Sequence, residues 1–121
     1  MAKGSDYMSF EEKARAWHGR GLNCGMSVYS AFAEELGISA DEAKSMAPRP
    51  RDEGGKCGAY LAGKKVLSSL NPSAVEEFEK RFVELNGSCE CAVLRARRAE
   101  LKKTCDDFVG DAARLVEEVL K

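Results

Sequence analysis

The stretch GGKCGAYLAGKKVLSSL, residues 54–70, places small and apolar residues three and four positions apart. This is the spacing of one face of an α-helix, so the stretch predicts a helix that begins near its cysteine. Residues 58–64 of this stretch nearly match the sequence motif of a phosphate-binding loop, with Gly63 and Lys64 at the expected spacing from Gly58. That loop requires a preceding strand and a Ser or Thr after the lysine, but here Lys65 follows and no strand signal precedes. We therefore interpret the stretch as a helix and the nucleotide match as accidental.

Helical spacing continues through the rest of the chain, and no stretch combines strict alternation with β-branched residues. Reciprocal capping signals predict three helix starts, at residues 9–12 (SFEE), 39–42 (SADE) and 104–107 (TCDD). Other starts are predicted after Asn23, near residue 57, after Asn71 and after Ser88. The helix after Ser88 is expected to run to Leu101. The sequence thus predicts an all-α fold, a compact bundle of six or seven short helices in a single domain over residues 1–121.

The composition is that of an ordinary globular domain, with 44% hydrophobic and 32% charged residues. A formal net charge of −1 provides no general attraction to nucleic acid or to an anionic membrane. No apolar run approaches the roughly 20 residues that a membrane span requires. The N-terminal residues lack the apolar segment of a secretory signal. We expect a cytoplasmic protein that binds neither nucleic acid nor a membrane.

Four of the five cysteines lie in the first turn of a predicted helix, namely Cys24, Cys57, Cys91 and Cys105. A helix N-terminus has unpaired N–H groups and roughly half a positive charge, which lower the pKa of a thiol and favour the thiolate. Thiolates attack disulfides and bind metals. If the four helix starts converge, they provide thiolate ligands and N–H donors for an anionic iron–sulfur cluster. In a reducing compartment, five cysteines favour metal or redox chemistry over a disulfide framework.

Other interpretations of these residues stay open at the sequence level. Buried cysteines often serve packing alone, and structural zinc sites usually pair cysteines at a C-x₂₋₄-C spacing, which only Cys89 and Cys91 approach. Cys89 is interpreted as incidental or as a resolving partner for Cys91. His18, the single histidine, is predicted on a helix surface, with a supporting role near Cys24 as the alternative. No C-x-x-C-H run indicates haem attachment, and nothing positions the oxyanion hole of a cysteine hydrolase.

Four segments of the chain, taken in order, resemble a family of redox-active proteins named for its cysteine–glycine signature, C_GCAxxG_C_C. The segments are GLNCGMSVYSAF (21–32), GGKCGAYLAG (54–63), GSCEC (87–91) and TCDDFVGDAARLVEEVL (104–120), within a motif-bearing part of about residues 14–120. The resemblance implies a small helical protein whose four signature cysteines serve redox chemistry or hold an iron–sulfur cluster. Carried onto this chain, those cysteines are the four that lie at predicted helix starts.

We therefore expect a redox-active protein whose four cysteines bind an iron–sulfur cluster for electron transfer, or cycle between dithiol and disulfide. Gly54, Gly55 and Gly58 are predicted to let the backbone approach the sulfur site closely. The first activity is that of an electron carrier and the second that of a thiol–disulfide oxidoreductase, each with a redox partner protein that the sequence does not identify. The alternative is a structural or interaction module with inert or zinc-binding cysteines. Exposed apolar helix faces would also allow a homodimer.

Overall fold

The computed structural model describes residues 9–120, which form ten α-helices and, within that range, no β-strand. In chain order the helices are α1 (Phe10–Gly19), α2 (Cys24–Ala31), α3 (Ala33–Leu36), α4 (Ala40–Met46), α5 (Asp52–Gly55), α6 (Gly58–Leu70), α7 (Val75–Asn86), α8 (Cys91–Ala96), α9 (Arg98–Leu101) and α10 (Cys105–Leu120). A 3₁₀ turn at Pro72–Ala74 leads into α7. The all-α prediction is confirmed, and six of these helices have seven or more residues.

Three helices begin at the reciprocal caps that the sequence predicts. At α1, the Ser9 hydroxyl accepts a hydrogen bond from the N–H of Glu12, and the Glu12 carboxylate accepts one from the N–H of Ser9. The same arrangement starts α4 and α10, where the paired residues are also three positions apart. These caps satisfy N–H groups that the helix leaves without partners, so the local sequence determines where these helices start.

The helix count differs from the predicted six or seven because two predicted helices are interrupted. Phe32 separates α2 from α3 with a backbone φ of −106° and ψ of 12°, and its buried ring stacks on Phe10 at 4.2 Å between centroids. Arg97 separates α8 from α9 with similar backbone angles. The short α5 is a further element, and φ is positive at Glu53 and Gly54 within it. These interruptions depend on packing and local backbone geometry that helical spacing alone does not encode.

The predicted helix start at Ser88 is wrong. The sequence places the cap of the 88–101 helix there, but α8 begins at Cys91 and Glu90 is its N-cap residue. The preceding segment is extended, because Glu90 pairs with Lys56 in an isolated antiparallel bridge. Ser88 instead accepts a hydrogen bond from the N–H of Glu90 at 3.0 Å. Long-range pairing therefore overrides the local helix signal.

Helix α6 is the central element and contacts α2, α7 and α10. Every residue from Gly58 to Gly63 is buried, so the first half of this helix has no exposed face. Tyr60 packs against the buried rings of Phe78 and Phe82, at 5.9 and 5.3 Å between ring centroids. Because Gly63 lies inside a regular helix, this stretch does not form a phosphate-binding loop.

Residues 1–8, on which the expected absence of a secretory signal depends, lie outside the described residues. Among residues 9–120, no helix combines the length and the apolar character needed to cross a membrane. The cytoplasmic location stays a prediction.

The substitution Gly63→Ala tests the packing of α6. A Cβ at this position would overlap the ring of Phe78, which is fully buried. Overpacking of this kind costs about 1–3 kcal/mol, against a gain of about 1 kcal/mol for Ala over Gly in a helix. We expect urea denaturation to show a net loss of roughly 1 kcal/mol in the free energy of unfolding. Gly19→Ala is the control, since its Cβ would meet nothing within 4 Å. Equal stability of Gly63→Ala and the wild type would contradict this packing.

Candidate four-cysteine site

Cys24 is the first residue of α2 and directly follows the N-cap residue Asn23. The side-chain oxygen of Asn23 accepts a hydrogen bond from the N–H of Met26 at 2.9 Å, which stabilises the start of the helix. Cys24 itself is half-buried, and most of the helix that follows is buried. The predicted position of Cys24 at a helix start is confirmed.

The starts of α2 and α6 are in backbone contact. A Cβ on Gly58 would lie 3.1 Å from the backbone nitrogen of Gly25, and a Cβ on Gly25 would overlap the carbonyl oxygen of Pro48. Gly25 therefore has no room for a side chain, and a side chain at Gly58 would require its neighbours to shift by a few tenths of an ångström. Because Gly25 follows Cys24 and Gly58 follows Cys57, this contact brings the backbones of the two cysteines together.

Cys57 is the N-cap residue of α6 and is only 5% exposed. Its backbone N–H donates a hydrogen bond to the carbonyl oxygen of Cys89 at 2.7 Å. The adjacent residues Lys56 and Glu90 form the antiparallel bridge, and Cys91 follows as the first residue of α8. This pairing joins the helix start at Cys57 to the helix start at Cys91.

Cys105 is the first residue of α10, whose start is held against α1 by ion pairs. Arg15 on α1 contacts Asp106 at 2.7 Å and Asp107 at 3.1 Å. The Nδ1 atom of His18 lies 3.0 Å from the other carboxylate oxygen of Asp106. The predicted surface position of His18 is therefore only partly right, because its side chain is 23% exposed and bound to α10.

A positive charge lies beside Cys105. The Nη1 atom of Arg98, in α9, lies 3.7 Å from the Cys105 sulfur, within hydrogen-bonding range for sulfur. A guanidinium at this distance can donate a hydrogen bond to the sulfur and offset negative charge on a group bound there. Arg98 could not be found from the sequence, because its approach depends on a chain reversal at Lys102, where φ is 58°.

The other three cysteines of the site are close enough to Cys24 to affect its ionisation. Burial is the largest cause that raises the pKa of Cys24, and the charges of Cys57, Cys105 and Cys91 raise it further, to about 12. A backbone N–H at the start of α2 acts in the opposite direction. Cys24 is therefore a neutral thiol at pH 7.

Burial likewise raises the pKa of Cys57, to about 11. The N–H groups of Tyr60 and Ala59 at the start of α6 lower the pKa, and the charges of Cys91 and Cys105 raise it by smaller amounts. The sequence predicts that helix N-termini lower the pKa of these cysteines. For Cys57, as for Cys24, that prediction is wrong, because desolvation of the thiolate outweighs the favourable field of the helix.

These contacts bring the four predicted cysteines into one region. Each of the other three acts electrostatically on Cys24, and all five cysteines of the chain are free thiols. In the part of the chain that the structure describes, no three His, Cys, Asp or Glu side chains are grouped closely enough to hold one metal ion. The region therefore offers four partly or fully buried thiols, spaced more widely than the ligands of a single ion.

The glycines predicted at the site differ in their local roles. Gly58 is a position of close approach, and its nearest neighbours are the backbone of Gly25 and Pro50. Gly54 and Gly55 would have nothing within 4 Å of a Cβ, but their φ values of +82° and +100° favour glycine. Gly25 was missed, since its one signal in the sequence is its position next to a cysteine. A cofactor-binding role for the three predicted glycines stays a prediction.

The raised pKa values of Cys24 and Cys57 can be tested by alkylation of the reduced, metal-free protein. An unperturbed cysteine has a pKa of about 8.5, so its rate of reaction with iodoacetamide levels off near pH 9–10. Because folding holds these two thiols in the neutral form, we expect their rates to keep rising through pH 10. The free energy of unfolding should fall over the same range, since the unfolded state loses its protons first. The readout is mass spectrometry of the labelled peptides.

The same peptides labelled in urea provide the control for this alkylation experiment. In urea both rates should level off near the pH expected for an unperturbed thiol. A plateau at that pH in the folded protein would contradict the burial of Cys24 and Cys57.

Comparison with known proteins identifies a family. The family model described as "Putative redox-active protein (C_GCAxxG_C_C)" matches residues 22–119, which include all four cysteines of the site. Neither a curated protein nor a solved structure gives a significant match. The family match covers most of the chain and confirms the resemblance of the four cysteine segments. The chain therefore belongs to the C_GCAxxG_C_C family of redox-active proteins.

Proposed function

We propose that the chain holds an iron–sulfur cluster through the thiolates of Cys24, Cys57, Cys91 and Cys105, and acts as an electron carrier. The observation that carries this proposal is the grouping of four helix starts, each with a cysteine at its capping or first position. Backbone contact joins α2 to α6, and the antiparallel bridge joins the start of α6 to that of α8. Such a cluster, when bound, accepts and releases single electrons.

The chemistry of the donor set supports a cluster. All four groups are thiols, which are the usual ligands of iron–sulfur clusters. The iron and sulfide ions of a cluster lie between its thiolates, so the sulfurs need not converge as tightly as around a single ion. The wider spacing of the thiols within residues 9–120 is compatible with this requirement.

The ionisation of Cys24 and Cys57 favours a ligand role over a dithiol cycle. Thiol–disulfide exchange needs an attacking thiolate, but burial raises the pKa of Cys24 to about 12 and that of Cys57 to about 11. Both residues are weak nucleophiles at pH 7. A metal centre deprotonates a coordinating thiol outright, so a raised pKa slows attack on a disulfide but does not prevent ligation.

Three features around the thiols would adjust the reduction potential of a bound cluster. Cys57 is 5% exposed, which keeps water away from its sulfur. The Arg98 guanidinium, 3.7 Å from the Cys105 sulfur, offsets negative charge at the site. Backbone N–H groups at the helix starts add further hydrogen-bond donors for sulfur. A positive charge nearby stabilises the reduced, more negative state and so raises the potential.

Reconstitution with iron and sulfide under anaerobic conditions tests the ligand set. We expect the wild type to bind iron and acid-labile sulfide in roughly equal amounts and to show a visible absorption that dithionite bleaches reversibly. Serine at any one of the four cysteines should reduce bound iron or shift the spectrum, because a ligand is lost. Cys89→Ser is the matched control and should bind iron as the wild type does.

Three results would contradict the cluster. One is a colourless, iron-free wild type with five free thiols, which would indicate inert cysteines. A second is zinc bound in place of iron. The third is an equal loss of iron in the Cys89→Ser control, which would overturn the proposed ligand set.

The contribution of Arg98 can be measured separately in the reconstituted protein. We expect Arg98→Gln to lower the reduction potential, because the negative charge added by reduction is no longer offset. Arg95→Gln removes the same charge at an exposed position of α8 and should change the potential much less. Equal potentials in the Arg98→Gln variant and the wild type would contradict a role for Arg98.

A further inference from the structure

We infer that Cys57 and Cys89 form a disulfide when the metal-free protein meets a small-molecule disulfide, and that this bond removes Cys57 from the four-cysteine site. Cys89 has no part in the proposed ligand set, yet its backbone is hydrogen-bonded directly to Cys57. The bond itself depends only on this geometry. Its effect on cluster loading rests on the proposed function.

The antiparallel bridge determines which residue lies opposite Cys89. In an antiparallel pair the numbers of facing residues have a constant sum, so the pairing of Lys56 with Glu90 places Cys57 opposite Cys89. The N–H of Cys57 donates to the carbonyl oxygen of Cys89 at 2.7 Å, as this register requires. The two cysteines are therefore cross-strand neighbours.

The register favours Cys57 over Cys91 as the partner of Cys89. Cys57 and Cys89 make one of the two hydrogen bonds of a hydrogen-bonded antiparallel pair, since the Cys57 carbonyl accepts from the N–H of Leu61. Opposed residues of such a pair have Cα atoms about 5.5 Å apart, within the range of about 4.4–6.8 Å that disulfides span. Their side chains also extend from the same face of the pair. In the same register Cys91 lies opposite Gly55, which has no thiol. A bond between Cys57 and Cys89 thus requires little backbone movement.

The thiol of Cys89 lies near the hydroxyl of Tyr60 in the reduced protein. Burial raises the pKa of Tyr60, and the charge of Cys89 is the next cause. Cys89 is half-buried whereas Cys57 is 5% exposed, so a small oxidant reaches Cys89 first. Rotation of the Cys89 side chain between staggered χ1 positions then turns its sulfur from Tyr60 towards Cys57.

The oxidant is glutathione disulfide or a similar small disulfide, and the reaction consists of two exchanges. The Cys89 thiolate attacks one glutathione sulfur, which forms a mixed disulfide and releases one glutathione. The Cys57 thiolate then attacks the Cys89 sulfur, which forms the Cys57–Cys89 bond and releases the second glutathione. The protein loses two electrons and two protons, and glutathione disulfide gains them as two thiols.

The disulfide changes what the site can bind. While its sulfur is bonded to Cys89, Cys57 cannot serve as a thiolate ligand, and the ligand set falls from four thiolates to three. A thiol reductant breaks the bond and restores the set. The fifth cysteine thereby makes cluster loading depend on the thiol–disulfide balance around the protein.

Disulfide mapping tests the bond directly. The reduced protein is freed of metal with a chelator, incubated with glutathione disulfide, blocked with iodoacetamide and digested without reduction. Trypsin cuts after Lys56, and a glutamate-specific protease cuts after Glu90, so Cys57, Cys89 and Cys91 fall on separate peptides. We expect the peptide pair joining Cys57 to Cys89 to dominate the cross-linked products.

Two variants make the mapping decisive. Cys91→Ser should keep the Cys57–Cys89 pair, and Cys89→Ser should lose it. A dominant bond between Cys89 and Cys91, a dominant bond between Cys24 and Cys57, or glutathione adducts alone would overturn the inference.

Loading after oxidation tests the consequence. Wild-type protein oxidised in this way should fail to take up iron until a dithiol reductant is added, while Cys89→Ser should take up iron with or without reductant. Equal uptake by oxidised and reduced wild type would overturn the proposed control of loading. If the reduced wild type takes up no iron, the proposed function fails, and the peptide map still decides whether the disulfide forms.

Discussion

The backbone contact between the starts of α2 and α6 is the constraint on which the site depends. A Cβ on Gly58 would lie 3.1 Å from the backbone nitrogen of Gly25, and a Cβ on Gly25 would overlap the carbonyl oxygen of Pro48 beside this contact. The contact fixes the distance between the neighbouring cysteines, Cys24 and Cys57, on two different helices. Pairing of residues 56 and 90 then adds the start of α8, and ion pairs between α1 and α10 hold the fourth helix start in place. Backbone contacts and ion pairs between helices thus position the four cysteines.

Burial favours the neutral form of Cys24 and Cys57, which matters for the proposed ligand role of these thiols. A neutral thiol behaves as a small apolar group and is buried at little cost, whereas a buried thiolate is strongly disfavoured. At Cys24 and Cys57 this desolvation exceeds the stabilisation that the helix N-termini offer. If a metal centre binds as proposed, its loading releases protons, and its affinity should rise with pH. The N–H groups at the helix starts would then stabilise mainly the negatively charged, metal-bound sulfurs, to which they can donate hydrogen bonds.

Much of the fold could be predicted from the sequence, because a cap such as Thr104 is decided by residues within one helical turn. Ser88 also carries a local cap signal, but a partner more than thirty positions away keeps its segment extended. The four cysteines could be named from their places at helix starts. The direction of the pKa shift at Cys24 could not be predicted, because the sequence shows that a helix starts there but not how deeply the thiol is buried. Arg98 reaches the site only through a left-handed turn at Lys102, between the short α9 and the long α10.

The most direct test of the account is a crystal structure of the protein purified without oxygen, with anomalous diffraction measured at the iron absorption edge. We expect one iron peak or one compact group of peaks, bounded by the sulfurs of Cys24, Cys57, Cys91 and Cys105. The Cys89 sulfur should lie outside that group, near Tyr60. Iron located away from the four sulfurs, or four sulfurs too dispersed to bound a single group of iron atoms, would contradict this expectation.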